Sequence, residues 1–209
     1  MADRVDGRAP AATDYVVDDA DWYARDLAGH TAERTTFLRA DLTEVVSDGG
    51  SVFIDCLFRD ARFNLAAFTA AAFLNCTFTG CKFFAAAFAD CKFVGSMFQR
   101  CDFAQLNVVG GDWSFVGLAG ADLRTATLRG VRMHEADLTG ASCNGAILRD
   151  VDLAGASTGK SNFATADLRG SDLSTFDPWS VDLAGAVIDG RQAVTIATNL
   201  GLDVRADAD

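Results

Sequence analysis

From Val52 to Phe103 a phenylalanine falls on every fifth residue: Phe53, Phe58, Phe63, Phe68, Phe73, Phe78, Phe83, Phe88, Phe93, Phe98 and Phe103. Two residues before each stands a small side chain, from Ser51 and Cys56 through Ala61 to Cys101. The unit therefore reads small-x-large-x-x. A helix repeats a face every 3.6 residues and a strand every 2, so neither holds a residue type in register at spacing five. The register continues at Val108, Trp113, Leu118, Leu123, Leu128, Met133, Leu138, Cys143, Leu148 and Leu153 and runs on to Leu183 and Ile188, with Thr158 and Pro178 the positions that are not apolar. Upstream it runs one residue out of phase, at Trp22, Leu27, Ala32, Phe37 and Leu42. One residue is thus inserted between Leu42 and Phe53, and the segment 45–50, which ends in Gly49-Gly50, is the place for a bulge.

A fixed short period over most of a chain is the mark of a solenoid. Such a tube has a constant cross-section, so a small inward residue must accompany each large one, and overpacking costs ~1–3 kcal/mol. Ala121-Asp122-Leu123, Ala136-Asp137-Leu138 and Ala166-Asp167-Leu168 spell one recurring triplet. In these residues the chain resembles the pentapeptide-repeat family, whose motif is A-(D/N)-L-x-x. The resemblance implies an all-β solenoid, a right-handed quadrilateral parallel β-helix in which four units make one turn. At ~4.8 Å between neighbouring coils, residues 20–190 then form a rod about 40 Å long.

One continuous repeat makes one domain. A tail over 1–15 has no period and is expected to be disordered; the β-helix occupies 16–190, and a different pattern fills 191–209. There Ala193, Ile196, Ala197 and Leu200 fall on one face of a short helix, with Asn199 and Gly201 at its C-terminal end. A helix this short needs tertiary contacts. It is expected to cover the end of the core, leaving Trp179, Val194, Ile196, Ala197, Leu200 and Leu202 as candidate contacts with a second copy; a simple cap on a monomer is the alternative.

Charge is uneven along the rod. The net charge is −11, and residues 53–104 hold four acids and five bases, whereas 105–190 hold eleven acids and six bases. The position before each large residue faces outward, and Asp102, Asp112, Asp122, Asp137, Asp152, Asp167, Asp172, Asp177 and Asp182 occupy it. Sites twenty apart share a face, so Asp102, Asp122 and Asp182 form one column and Asp112, Asp152 and Asp172 another. About half of these aspartates are expected to serve the turn backbone instead. Leu106 in a small slot and the adjacent Gly110-Gly111 suggest a local kink or an altered coil shape.

Other chemistry is sparse. Cys56, Cys76, Cys81, Cys91 and Cys101 take small inward slots and Cys143 a large one, as buried free thiols do. No C-x-x-C or Cys/His spacing occurs, so neither metal nor cofactor is expected. The glycine-rich stretch at 155–161 is one residue short of a phosphate loop and lies within the repeat. His30 belongs to the N-terminal cap and His134 is expected to be exposed without a partner, so an enzyme is not expected. With no apolar leader and no long apolar run, the chain is expected in the cytoplasm and off the membrane.

Asp177-Pro178-Trp179, Gly185-Ala186, Asp189, Gln192-Ala193-Val194 and Gly201-Leu202 resemble the C-terminal segment of the MfpA/Qnr-type fluoroquinolone-resistance group of that family. That resemblance implies a homodimer joined end to end through the last coil and helix, acting as a mimic of duplex DNA toward DNA gyrase. Gyrase is then either inhibited or protected from fluoroquinolone-like poisons. Of the outward aspartates, all but Asp177 become gyrase-facing candidates, and like charges exclude direct nucleic-acid binding. The longer projecting loops of Qnr proteins have no counterpart beyond the single inserted residue. The alternative is a non-catalytic scaffold for another protein partner, its acids serving solubility.

Overall fold

The computed structural model describes residues 10–205; the first nine residues of the expected tail and the last four of the chain lie outside them. Each five-residue unit forms one side of a square coil, and each coil stacks in parallel on the next. The first face carries the strands Tyr15–Asp18, Thr35–Leu38, Leu57–Arg59, Thr77–Thr79 and Met97–Gln99, continued by bridges through Gly117, Asp137 and Ser157. On the second face the coils meet by single bridges, from Asp21 and Asp41 through Arg62 and Lys82 to Asp102, then from Asp122 through Ser142 and Asn162 to Asp182. The third face is the longest sheet, from Val46–Asp48 through Ala67–Thr69, Ala87–Ala89, Asn107–Val109 and Thr127–Arg129 to Ile147–Arg149. The fourth begins with Thr31–Glu33, Val52–Ile54 and Ala72–Leu74 and continues through Lys92, Asp112, Arg132 and Asp152.

The five-residue spacing builds the core directly. Residues one coil apart are register partners, as Phe58 with Phe78 and Phe78 with Phe98, so rings on one face sit one strand spacing apart and stack. Ring centroids are 4.9 Å apart for Phe58–Phe78 and 4.7 Å for Phe78–Phe98, while rings on adjoining sides meet edge to face, as Phe53 and Phe58 do at 5.6 Å. Both arrangements are favourable ones for aromatic pairs. The small slots are as closed as the large ones: Ala61, Ala71, Cys76 and Cys91 are fully buried.

Each side turns through the residue two after the large one, and at most corners that residue adopts the left-handed conformation, as at Arg34 (φ 46°), Leu65 (φ 58°) and Ala85 (φ 52°). A side chain there costs roughly 1–2 kcal/mol, which explains why Gly80, Gly95, Gly120 and Gly130 hold corners elsewhere. The inserted residue lies at the paired left-handed glycines Gly49 and Gly50. Across it the register slips from twenty, Tyr15 with Thr35, to twenty-one, Thr31 with Val52, and then returns to twenty, Val52 with Ala72.

Two expectations are corrected. The first coil starts ahead of residue 16: Asp14 and Tyr15 donate their N–H groups to the Arg34 carbonyl at 2.7 and 3.3 Å, and Tyr15 opens a strand. Gly110-Gly111 is not a kink, since Gly110 donates to Arg129 O at 2.8 Å and Asp112 to Cys91 O at 3.0 Å, unbroken ladder contacts. Instead Gly111 permits a close approach, because a Cβ there would stand 2.2 Å from the Cys91 carbonyl oxygen. The bulk removed at Gly111 is offset two residues later by Trp113, whose ring lies 4.3 Å from that of Phe93.

The helix Gly190–Asn199 closes the C-terminal end. Asp189 caps it, accepting from the Arg191 and Gln192 N–H groups, while the Gln192 side chain accepts from the Asp189 N–H. Gln192 is buried and its amide also donates to Leu168 O and Ser171 O at 2.6 and 2.7 Å, satisfying carbonyls of the last complete coil. Asn199 donates to Phe176 O at 2.8 Å. No helix among the described residues is long and apolar enough to cross a membrane.

Candidate functional site

The outward aspartates divide by what holds their carboxylates. All nine accept a hydrogen bond from the N–H two residues on, at 3.0 Å in Asp102 to Ala104, 2.9 Å in Asp137 to Thr139 and 2.8 Å in Asp172 to Ser174, for example. The turn role expected of about half of them belongs to every one. Each such bond uses one oxygen and leaves the charge in place, so it does not decide whether the carboxylate meets a partner.

Ion pairs decide that. Asp122 takes a forked contact from Arg124 at 2.9 and 2.6 Å, and Asp167 one from Arg169 at 2.9 and 2.7 Å. Arg169 hydrogen bonding holds the Asp167 carboxyl down to about 2, with Arg149, 4.0 Å away, adding to it. The Arg124 contact lowers Asp122 in the same way. Arg132 stands 3.9 Å from Asp112, and His134 Nε2 lies 2.6 Å from Asp152. His134 is therefore half-buried and paired, contrary to the expectation of an exposed histidine without a partner. Asp102, Asp137, Asp172 and Asp182 have no ion pair among the described residues.

Arg124, Arg132, Arg149 and Arg169 are recognisable in the sequence as outward charges that oppose a phosphate-like surface, and their pairing with particular aspartates also has a signal there. Positions on either side of each large residue both point outward, so aspartate before and arginine after it are neighbours at spacing two, as in Asp122-Leu123-Arg124. Across coils the same geometry gives spacing eighteen, as for His134 and Asp152. Nearer the N-terminus the pairs lie one coil apart: Asp14 with Arg34, Asp19 with Arg39 and Asp41 with Arg62.

The candidates do not form one patch. Asp102, Asp122 and Asp182 lie on the second face and Asp112, Asp152 and Asp172 on the opposite, fourth face; Asp137 is on the first and Asp167 on the third. Within the second face Ser142 and Asn162 separate Asp122 from Asp182. At the C-terminal end Trp179 is 81% exposed and Leu202 60%, and Val194 and Leu200 are also exposed. Ile196 and Ala197 are half-buried, Ile196 against the protein's own core, so they offer less to a second copy. Thr158 and Ser161 of the glycine-rich stretch point into the core, and Ser161 Oγ donates to Leu138 O at 3.0 Å.

Comparison with known proteins places this architecture. A family model described as pentapeptide repeats, in eight copies, matches residues 118–155 and 146–174. No curated protein matches the chain. Among solved structures, a trypsin-treated variant of QnrB1, a plasmid-mediated fluoroquinolone resistance protein, is 23% identical with a TM-score of 0.52, the match covering 93% of this chain and 99% of that one. HetL, a pentapeptide-repeat protein involved in heterocyst differentiation regulation from the cyanobacterium Nostoc, is 16% identical with a TM-score of 0.41, over 88% of this chain and 90% of that one. The QnrB1 match establishes a common fold over nearly the whole of both chains.

Proposed function

The chain is a pentapeptide-repeat solenoid, and from that premise we propose that it is a DNA-mimicking ligand of DNA gyrase, entering the site where the enzyme holds duplex DNA. The observation that carries this reading is the set of carboxylates without an ion pair among the described residues, Asp102, Asp137, Asp172 and Asp182, on a narrow rod of net charge −11. They stand on three faces, two of them opposite, as phosphates line two sides of a duplex. A basic DNA saddle attracts such a surface at long range, and the attraction weakens with salt. The likeness to a fluoroquinolone resistance protein supports the choice of gyrase among DNA-holding enzymes.

The working unit on this reading is a homodimer in the cytoplasm, joined through the exposed apolar surface of Trp179, Val194, Leu200 and Leu202. The single-residue insertion at Gly49-Gly50 offers no projecting loop, which favours inhibition over protection. The test is a supercoiling assay with purified gyrase at two salt concentrations, with and without a fluoroquinolone. Inhibition that fades with salt is the expected result. No effect at tens of micromolar protein at either salt would refute the proposal.

A further inference from the structure

Among the described residues, every corner from Asp19 to Gly170 is left-handed except one, Thr125. The ladder fails at the same place. One coil before, Asp102 N–H donates to Cys81 O at 3.0 Å, Phe83 N–H to Asp102 O at 2.8 Å and Ala85 N–H to Ala104 O at 2.9 Å. One coil after, Ser142 N–H donates to Ala121 O and Leu123 N–H to Ser142 O, both at 2.8 Å. Between them, among the described residues, no backbone hydrogen bond joins 101–105 to 121–125. Gln105 N–H goes instead to the Thr125 hydroxyl at 2.9 Å. Thr175, the next corner that is not left-handed, coincides with a second gap, where Leu153 and Gly155 lack the ladder bonds made one coil earlier by Met133 and Glu135.

The packing records the opening. A cleft of about 550 Å³ lies between the two coils, lined by Cys101, Phe103, Asp122 and Thr125 among others. Cys101 and Ala121 occupy small inward slots, yet both are only half-buried, whereas Cys81 and Ala141 in the same column are closed. Here too the core changes: Phe103 stacks on Phe83 at 5.6 Å, but the next large residue in its column is Leu123. The other three sides of this step are intact, through Met97–Gly117, Asn107–Thr127 and Asp112–Arg132.

We propose that this step is a joint: its second face parts and recloses while the other three sides stay bonded, so that the phenylalanine-filled and leucine-filled halves of the rod bend against each other. The hinge lines are the flanking ladders, and the left-handed corner that would zip the open side is withheld by Thr125. Burying unpaired backbone groups is costly, so the Phe103 and Asp122 amides are stable only where water reaches them. This inference does not depend on the gyrase reading.

The test is residue-resolved hydrogen exchange on the intact protein, alongside Thr125→Gly, a residue that holds the same corner at Gly145 one coil on. In the wild type the Phe103 and Asp122 amides should exchange at least about tenfold faster than Phe83 and Asp102, and Cys101 alone of the six thiols should label in the native state. In Thr125→Gly both amides should slow about tenfold and Cys101 labelling should fall with them. Spin labels at positions 82 and 144, introduced with Cys101→Ala, should report a distance distribution that narrows when Thr125→Gly is added. Wild-type protection at Phe103 and Asp122 equal to that of their neighbours would overturn the joint. So would exchange, labelling and distances that Thr125→Gly leaves unchanged.

Discussion

His134 Nε2 lies 2.6 Å from a carboxylate oxygen of Asp152, eighteen residues on in the chain and one coil away in space. The contact shows why an aspartate count overstates the acidic surface. Asp112, Asp122, Asp152 and Asp167 each face a basic side chain already, whereas Asp102, Asp137, Asp172 and Asp182 form no ion pair among the described residues.

Charge removal should separate the two sets. Asparagine keeps the oxygen that accepts the turn N–H, so D102N, D137N, D172N and D182N together should preserve the fold. Four contacts at ~0.2–1 kcal/mol each amount to a loss of about fourfold to several hundredfold in gyrase inhibition. The combination D112N, D122N, D152N and D167N should cost much less. Equal losses in a supercoiling titration would show that the distinction between paired and free carboxylates is irrelevant to binding.

Association of two copies makes a separate prediction. Trp179 and Leu202 are exposed beside a helix that already covers the protein's own core. Replacing both with aspartate should leave the circular dichroism spectrum unchanged and convert a dimer to a monomer in light scattering at micromolar concentration. A wild-type monomer under those conditions would remove the dimer from the proposal.

Acid should act through the arginine-bound carboxylates. Hydrogen bonding to Arg62 holds Asp41 down to about 2, and Arg169 does the same for Asp167. Ordinary aspartate titrates near ~3.9. A folded-state value below the unfolded one gives stability that is fully present above about pH 4 and lost as pH falls toward about 2. NMR titration of Asp167 should follow that range, and Arg169→Gln should move its midpoint up toward the ordinary value. A midpoint that stays put would assign the shift to the turn backbone instead.

The aromatic stack sets the largest single-residue effect. Phe73 lies between Phe53 and Phe93, at 4.8 and 4.7 Å. Phe73→Ala should cost ~3–5 kcal/mol in urea unfolding. Phe84 is 42% exposed on the outer surface, and Phe84→Ala should cost under ~0.5 kcal/mol. Comparable losses would contradict the inward register.

What could be read in the chain, and what could not, follows one physical division. The large and small slots were legible because spacing five lets a single inward direction recur, and Phe53 to Phe103 mark it without a gap. The state of Cys101 was not, since it depends on whether the next coil closes over it. The same holds for Asp152, whose partner sits at a spacing set by two coils together, and for Gln192, a polar residue buried because it meets the carbonyls of Leu168 and Ser171. The corners were legible in principle: glycine recurs two residues after the large position, and only the left-handed backbone accounts for it.

That corner rule makes the last prediction. Ala85 is left-handed with φ 52° and donates its N–H to Ala104 O at 2.9 Å. Glycine would relieve roughly 1–2 kcal/mol of corner strain and lose ~0.4–1 kcal/mol through the freer unfolded chain. Relief is the larger effect at the centre of both ranges, so Ala85→Gly should stabilise the protein by up to about 1.5 kcal/mol. Gly111→Ala should do the opposite by ~1–3 kcal/mol or more, because its Cβ would meet backbone, the Cys91 carbonyl oxygen at 2.2 Å and nitrogen at 2.8 Å, which no side-chain rotation can clear. Urea unfolding of the two variants measures both signs, and destabilisation by Ala85→Gly would show that the left-handed corner carries no strain worth relieving.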